Sequence, residues 1–479
     1  MTAVAENAGK LANSVGLMMV RKVLGSVLSA LSSVMVVRSL SPDHFGQYAA
    51  GLAAFYLLMA LTEFGFGEVL GRSLGRSEGG ASVLGRLVLR VNLLWSAGVA
   101  VAGVVVAGFF AYGTIRSSTL LVMTPALALA GTSALRQFFY ARHQVGRMAA
   151  IDLSTSVAST VVIVALAVLD APAVSMAAAA SAAAAANSLL VWRAARHWLV
   201  IDGDPDQDIG RPSAEVLFRE SYPIGVASFL ATAYVSIDVV ILSGLFTADV
   251  VGQYASAVKV LSILTIFPGL VMSVALPQLS ADWEDVSRFG DLLARMWHWF
   301  MSLVMPGLVI VAANATGVMT LLFGDAYAPA GSYLRILMLA GFVSMFCQLL
   351  GVVIVAAARA KWLIVQNVIA LVINVGGNLV IAPRFGIESS AWLTVLTEII
   401  VCGGSWLVLR DRIPYGALLK VSLLPVVAAA AAVAAGLAFT SEPLISLPLS
   451  GVVFVVVLTL VRGWPSELVR MLPRSVKAT

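Results

Sequence analysis

Residues 41–49 read SPDHFGQYA and residues 247–255 read TADVVGQYA, 206 positions further on. Both fit [S/T]-x-D-x-[F/V]-G-Q-Y-A, and each stands between two long apolar runs. Locally the phrase describes a helix start. Ser41 or Thr247 suits the N-cap, Pro42 the first helical position, and Asp43 or Asp249 complements the positive end of the helix dipole. Gly46 or Gly252 lets a neighbouring helix come close, and the tyrosine suits a membrane boundary. One copy needs no more explanation than this. Two copies do.

Composition gives the setting. Hydrophobic residues make up 60% of the 479-residue chain, charged residues 11%, and the mean hydropathy is +0.96. So few charges do not cover the surface of a water-soluble domain of this length. The apolar runs are about twenty residues long, what a helix needs to cross about 30 Å of hydrocarbon. They fall near 15–37, 46–68, 88–111, 118–139, 148–169, 172–192, 221–243, 250–275, 294–314, 331–356, 362–382, 387–409, 418–438 and 445–461. The fold class is therefore all-α, a polytopic membrane protein of about 14 transmembrane helices. The alanine-rich sixth run, SMAAAASAAAAANSLLVW, is expected to pack among other helices rather than face lipid. No cleavable signal segment is read at the N-terminus.

The loop cations orient the bundle. With the N-terminus in the cytoplasm, of the 30 Lys and Arg only Arg38, Arg116 and Arg384 fall on the outer side, 22 fall on the inner side, and five lie inside or near spans. Both termini are then cytoplasmic. The net charge of +5 reflects this orientation and needs no nucleic-acid partner. Cys347 and Cys402 lie inside apolar runs and read as small core residues. The four histidines have no metal-ligand spacing, there is no phosphate-binding loop of the G-x-x-x-x-G-K-[ST] form, and no catalytic constellation stands out. No metal, cofactor or enzymatic activity is expected.

The repeated phrase sits on runs 2 and 8, six helices apart, so a duplicated six-helix unit explains it. Because six is even, both copies insert with the same orientation. The basic turns at Gly146-Arg147 and Ala360-Lys361 agree, at an offset of 214. The expected organisation is an N-terminal six-helix bundle over 1–200, a cytoplasmic linker over 201–220 containing DGDPDQD, and a C-terminal six-helix bundle over 221–410. Two additional helices and a cytoplasmic tail follow over 411–479. Two bundles about a central cleft make a plan for alternating access.

Four stretches carry a family resemblance: VVRSLSPDHFGQYAAGLAAFYLLMALTEFGFGEVLGR at 36–72, IDVVILSGLFTADVVGQYASAVKV at 237–260 with PGLVMSVALPQLS at 268–280, LLFGDAYAPAGSYLRILML at 321–339, and NVGGNLVIAPRFGIESSAW at 374–392. In this order the chain resembles the Wzx-like O-antigen and exopolysaccharide flippases, the polysaccharide branch of the multidrug/oligosaccharidyl-lipid/polysaccharide exporter superfamily. Ala382-Pro383 and Glu388-Ser389-Ser390 depart from the family's form. The resemblance implies a transporter that moves polyprenyl-pyrophosphate-linked oligosaccharide from the inner to the outer leaflet of a bacterial inner membrane, for lipopolysaccharide or exopolysaccharide biosynthesis. The partners it implies are this substrate, membrane lipids, and the polysaccharide polymerase and chain-length proteins. The alternative is a multidrug or cation antiporter of the same superfamily.

Ionisable groups inside the apolar runs cost about 2.5–3.5 kcal/mol each at the helix centre and so mark function. Lys259 lies deepest and is the leading substrate-binding residue; its structural alternative is an ion pair with Asp238. Arg21, Lys22, Arg38 and Arg90 are the further candidates for the pyrophosphate, against snorkelling to the headgroups. Glu63, Asp152, Asp238 and Glu398 are candidates for charge balance or for coupling to a proton or sodium gradient. Shifting Glu63, Lys259 and Asp238 by 206 lands on Gly269, Ala53 and Ser32. The scaffold is duplicated and these charges are not, as an asymmetric substrate requires.

Overall fold

A computed structural model describes residues 21, 23–74, 81–110, 113–199, 213–265, 279, 281, 283–357, 359, 361–438 and 443–465. Lys22 and most of the 268–280 stretch lie outside these residues, as does most of the acidic segment before Ser213. Among the described residues the chain is helical and has no strand. The helices in chain order are α1 Val23–Ser39, α2 Pro42–Leu74, α3 Ser82–Phe109, α4 Ile115–Ala141, α5 Val145–Val168, α6 Ala173–Leu199 and α7 Ala214–Leu245. They continue with α8 Ala248–Leu264, α9 Val286–Ala313, α10 Ala330–Ala356, α11 Lys361–Val380, α12 Glu388–Leu409, α13 Tyr415–Leu437 and α14 Pro443–Leu460. Twelve of them are long and apolar enough to cross a membrane. The shorter α1 and α8 stand at the first and eighth apolar runs. The chain is a polytopic helical membrane protein.

The starts follow the capping chemistry. Ser41 Oγ accepts the His44 N–H at 3.3 Å with Pro42 at the first turn, Thr114 Oγ1 accepts from Ser117, and Ser213 Oγ accepts from Val216. The helix opening at Ala214 starts seven residues before the apolar run at 221–243, because the Ser213 cap and the polar first turns precede the membrane-length segment. Each cap satisfies one of the N–H groups that a helix leaves without an internal partner.

Two spans are interrupted. In α2 the helix breaks at Glu63-Phe64-Gly65, where Gly65 takes φ +85°, and Trp95 Nε1 donates to the freed Leu61 carbonyl at 2.7 Å. A Cβ at Gly65 would lie 2.7 Å from the Ser221 carbonyl oxygen, so glycine is required there twice over. In α4 the segment Ala130–Leu135 tightens to a 3₁₀ helix, and Asn92 Nδ2 donates to the Gly131 carbonyl at 3.1 Å. Within a membrane these side chains replace the water that would otherwise satisfy such carbonyls.

By contact the chain divides into two compact units, Met1–Gly252 and Gln253–Thr479. In the first, α2 packs against α4 and α7, and α6 packs against α4 and α5. Phe66, Leu70, Leu135, Phe138, Phe139, Met148, Trp198 and Leu217 form a core at one end. The expectation that α6 is an interior helix is corrected: only 22% of its span is buried, and Leu189, Leu190 and Trp192 are exposed. Alanine lets one face come close to α4 and α5, and the other face carries the large apolar side chains that suit lipid. In the second unit α12 packs on α10 and α11, and α13 and α14 pack on each other and on α9. Phe289, Trp297, Phe300, Met301, Leu418, Ala428, Ala432 and Phe454 share one core, which makes the two additional helices part of this unit's interior.

The opening turn of α8, up to Gly252, belongs with the first unit. There the two copies of the repeated phrase meet. A Cβ on Gly46 would overlap the Ala248 carbonyl, and a Cβ on Gly252 would overlap the Pro42 carbonyl. Positions 42 and 248 exchange roles, as do 46 and 252, which is the signature of a local two-fold relationship. The glycines expected to admit a neighbouring helix admit each other.

Candidate functional site

Asp152 sits on α5, seven residues from its start and so about 10 Å along the axis at about 1.5 Å per residue. Its carboxylate is met by side chains from three other segments of the chain. Arg21, just before α1, forms an ion pair with Oδ2. Arg136 on α4 donates through Nη1 to the same oxygen at 3.1 Å. Asn187 on α6 donates through Nδ2 to Oδ1 at 3.0 Å and to Thr155 Oγ1 at 2.9 Å, and its Oδ1 accepts from Arg136 Nη2 at 2.8 Å. Asn187 therefore uses both amide hydrogens and its carbonyl, which leaves it one orientation. The side chains of Arg21, Arg136 and Asp152 remain 27%, 30% and 17% exposed, so the cluster is lined on one side by packed helices and open on another.

Two guanidiniums thus share one carboxylate. Asp152 already accepts three charge-assisted or amide hydrogen bonds, and a coupling cation would have to displace an arginine to reach it. Its geometry suits charge balance. Above the cluster α1 is tied to α5 by Ser32 Oγ and Thr160 Oγ1 at 3.0 Å. Glu63 is exposed at the break in α2. Arg21 and Asp152, read separately in sequence, thus come together in the first unit.

The other candidates lie apart from it. Arg38 and Arg90 are exposed, near the end of α1 and on α3. Asp238 is buried on α7, and its Oδ1 accepts the Val239 N–H at 2.7 Å. Lys259 lies on α8 eleven residues past Ala248, about 16 Å along the helix. It is half-buried, and no described residue of its own unit pairs with its ammonium. Glu398 is half-buried on α12, and its carbonyl accepts the Cys347 thiol at 3.2 Å. Cys347 and Cys402 are both free thiols. Among the described residues no group of His, Cys, Asp and Glu is arranged to hold a metal.

Sequence reasoning missed Arg136 and Asn187. By sequence Arg136 falls among the inner loop cations, although it lies within the apolar helix α4. Asn187 is the one amide in the alanine-rich run, and that isolation was the available signal: a strong hydrogen-bonding group in lipid needs a partner.

The helical architecture has known counterparts. The lipid II flippase MurJ in an inward closed conformation aligns with a TM-score of 0.73 at 12% identity, over 92% of this chain and 97% of that one. An inward-facing multidrug resistance MATE transporter of the MOP superfamily aligns at 0.66 and 17% identity, over 82% and 96%. A MOP superfamily transporter from Pyrococcus furiosus, described as having a binding pocket of reverse polarity, aligns at 0.58 and 14%, over 83% and 95%. At these identities the likeness is one of fold. Compared by sequence with curated proteins, the chain finds no match. The family model described as polysaccharide biosynthesis protein covers residues 11–283, which include both copies of the repeated phrase and the whole Arg21–Arg136–Asp152–Asn187 cluster, and the chain belongs to that family.

Proposed function

We propose that this protein is a flippase that carries a polyprenyl-pyrophosphate-linked oligosaccharide from the inner to the outer leaflet of a bacterial inner membrane. It works by alternating access between its two six-helix repeats, 1–200 and 221–410, with 201–220 as linker. The sugar-pyrophosphate enters a polar interior while the polyprenyl tail stays in lipid. The observation that carries the reading is the retention of basic side chains in or beside apolar helices: Lys259 half-buried on α8, and Arg21 and Arg136 sharing Asp152. Cations in a low-dielectric setting hold a dense anion through charge-assisted hydrogen bonds. Membership in a polysaccharide biosynthesis family and a fold shared with a lipid II flippase support the same reading. A proton or sodium gradient supplies the energy, and the polymerase and chain-length proteins receive the product.

Transport of a fluorescent lipid-linked oligosaccharide in vesicles tests it. Wild-type protein moves the label across, Lys259→Ala slows transport on the order of tenfold or more, and Lys259→Arg retains most of it. Undiminished movement in Lys259→Ala shows that Lys259 does not bind the substrate. Efflux of cationic drugs without movement of the lipid-linked sugar favours the antiporter alternative.

A further inference from the structure

The chain has two cysteines in all, and the fold brings both to one place. Cys347 lies 17 residues past the start of α10 and Cys402 lies 14 past the start of α12, about 25 and about 21 Å along their helices at about 1.5 Å per residue. These two helices pack on each other. Cys347 Sγ donates to the Glu398 carbonyl at 3.2 Å. Cys402 stands one turn further along α12 on the same face as Glu398, and helix geometry directs the Cys402 N–H to that same carbonyl. The Cys347 sulfur therefore lies against the turn that carries Cys402, and the two thiols are hydrogen-bonding neighbours. Both are free, and they differ in access: Cys347 is 8% exposed, whereas Cys402 is half-buried. Apolar packing asks only for volume at each position and does not require that both thiols of a chain share one contact.

We infer that Cys402 and Cys347 are a site of oxidative modification, an attacking and a resolving thiol that a lipid hydroperoxide joins into a disulfide between α10 and α12. The class of oxidant follows from the place, since thiols within membrane-length helices are met by reagents that dissolve in hydrocarbon. Cys402, the more open of the two, meets the hydroperoxide first. Its sulfur takes one oxygen as the O–O bond breaks, the thiol proton passes to the other oxygen, and an alcohol leaves. Cys402 is then a sulfenic acid. The Cys347 sulfur displaces the hydroxyl and forms the S–S bond, and the Cys347 proton leaves with the hydroxyl as water. The two thiols have supplied the two electrons that reduce the peroxide. Sulfenic acid, disulfide, alcohol and water are all neutral, so no product has to hold a charge in an apolar span. The bond ties α10 to α12 around the whole of α11. Cys347 thereby stops the oxidation of Cys402 at a reversible stage, before the sulfinic acid. Neither cysteine belongs to the groups that bind the substrate, and the inference stands apart from the flippase reading.

The test uses the full chain purified in detergent, with cumene hydroperoxide as the oxidant and mass spectrometry of the intact protein and its unreduced peptides as readout. The wild type loses two hydrogen atoms, the Cys347 and Cys402 peptides appear joined within one chain, and dithiothreitol separates them. Cys347→Ser leaves Cys402 as a sulfenic acid that dimedone traps, and longer exposure carries it on to the sulfinic acid. Cys402→Ser slows the oxidation of Cys347 on the order of tenfold, because the thiol that meets the oxidant is gone. Alanine variants at the same positions, which bury no hydroxyl, give the same split and separate chemistry from folding. A wild type that does not react with the hydroperoxide overturns the inference. So do two thiols oxidised independently without a link, a link formed only between chains, or an unchanged rate at Cys347 in both Cys402→Ser and Cys402→Ala.

Discussion

Gly46 and Gly252 are pressed against each other's helices so closely that neither has room for a methyl group. The Gly252 amide nitrogen lies 2.8 Å from where a Gly46 Cβ would stand, and the Gly46 nitrogen 2.9 Å from where a Gly252 Cβ would stand. The opposing atoms are backbone, which does not swing aside as a long side chain does. Close approach of this kind is how helices associate in lipid, where the hydrophobic effect does not distinguish one apolar neighbour from another.

Gly46→Ala and Gly252→Ala each destabilise the protein by about 2–3 kcal/mol, the upper range for an overpacked contact. Gly98→Ala and Gly108→Ala, whose added methyls meet nothing within 4 Å, leave it unchanged. Thermal melting of the four variants in one detergent checks this, and equal melting temperatures for all four would refute the contact.

Asp152 holds the cluster together, so its loss is the most costly change there. Asp152→Asn lowers stability by about 2 kcal/mol, less than for a fully buried pair because the carboxylate is 17% exposed. Arg21→Gln costs less, since Arg136 still neutralises the carboxylate. The double variant costs less than the sum of the two, and a double-mutant cycle in thermal unfolding measures the difference.

Asn314 ties the last helix to its unit: its Oδ1 accepts the Ser446 hydroxyl at 2.5 Å, and its Nδ2 donates to the Ile310 carbonyl at 3.0 Å. Asn314→Leu leaves the buried Ser446 hydroxyl without this acceptor and costs about 1–3 kcal/mol. Removal of residues 414–479 uncovers Trp297, Phe300 and Met301 and strips Trp297 Nε1 of its Ser422 acceptor at 2.8 Å. The shortened chain then elutes as an aggregate in size-exclusion chromatography. A monodisperse peak would show that α13 and α14 are dispensable to the fold.

Much of this protein is legible along the chain. The number and places of the membrane helices follow from runs of apolar residues, because crossing hydrocarbon is a demand on each segment by itself. A nine-residue phrase is written twice, and Ser41 and Pro42 announce a helix start that the structure shows. The break in α2 was less legible: Glu63-Phe64-Gly65 interrupts no hydropathy pattern, and only the φ of Gly65 and the Trp95 contact reveal it.

What the sequence determined by itself is thus the class and the spans, each a matter of local composition. The tertiary structure alone decided which polar groups meet. Arg21 finds Asp152 across 131 residues, and Arg136 finds Asn187 across 51. The reason is physical. Hydropathy places each helix in the membrane but says nothing about which helix lies beside it or which face it turns. A charge in a span announces that it needs a partner, and only packing supplies the partner's name.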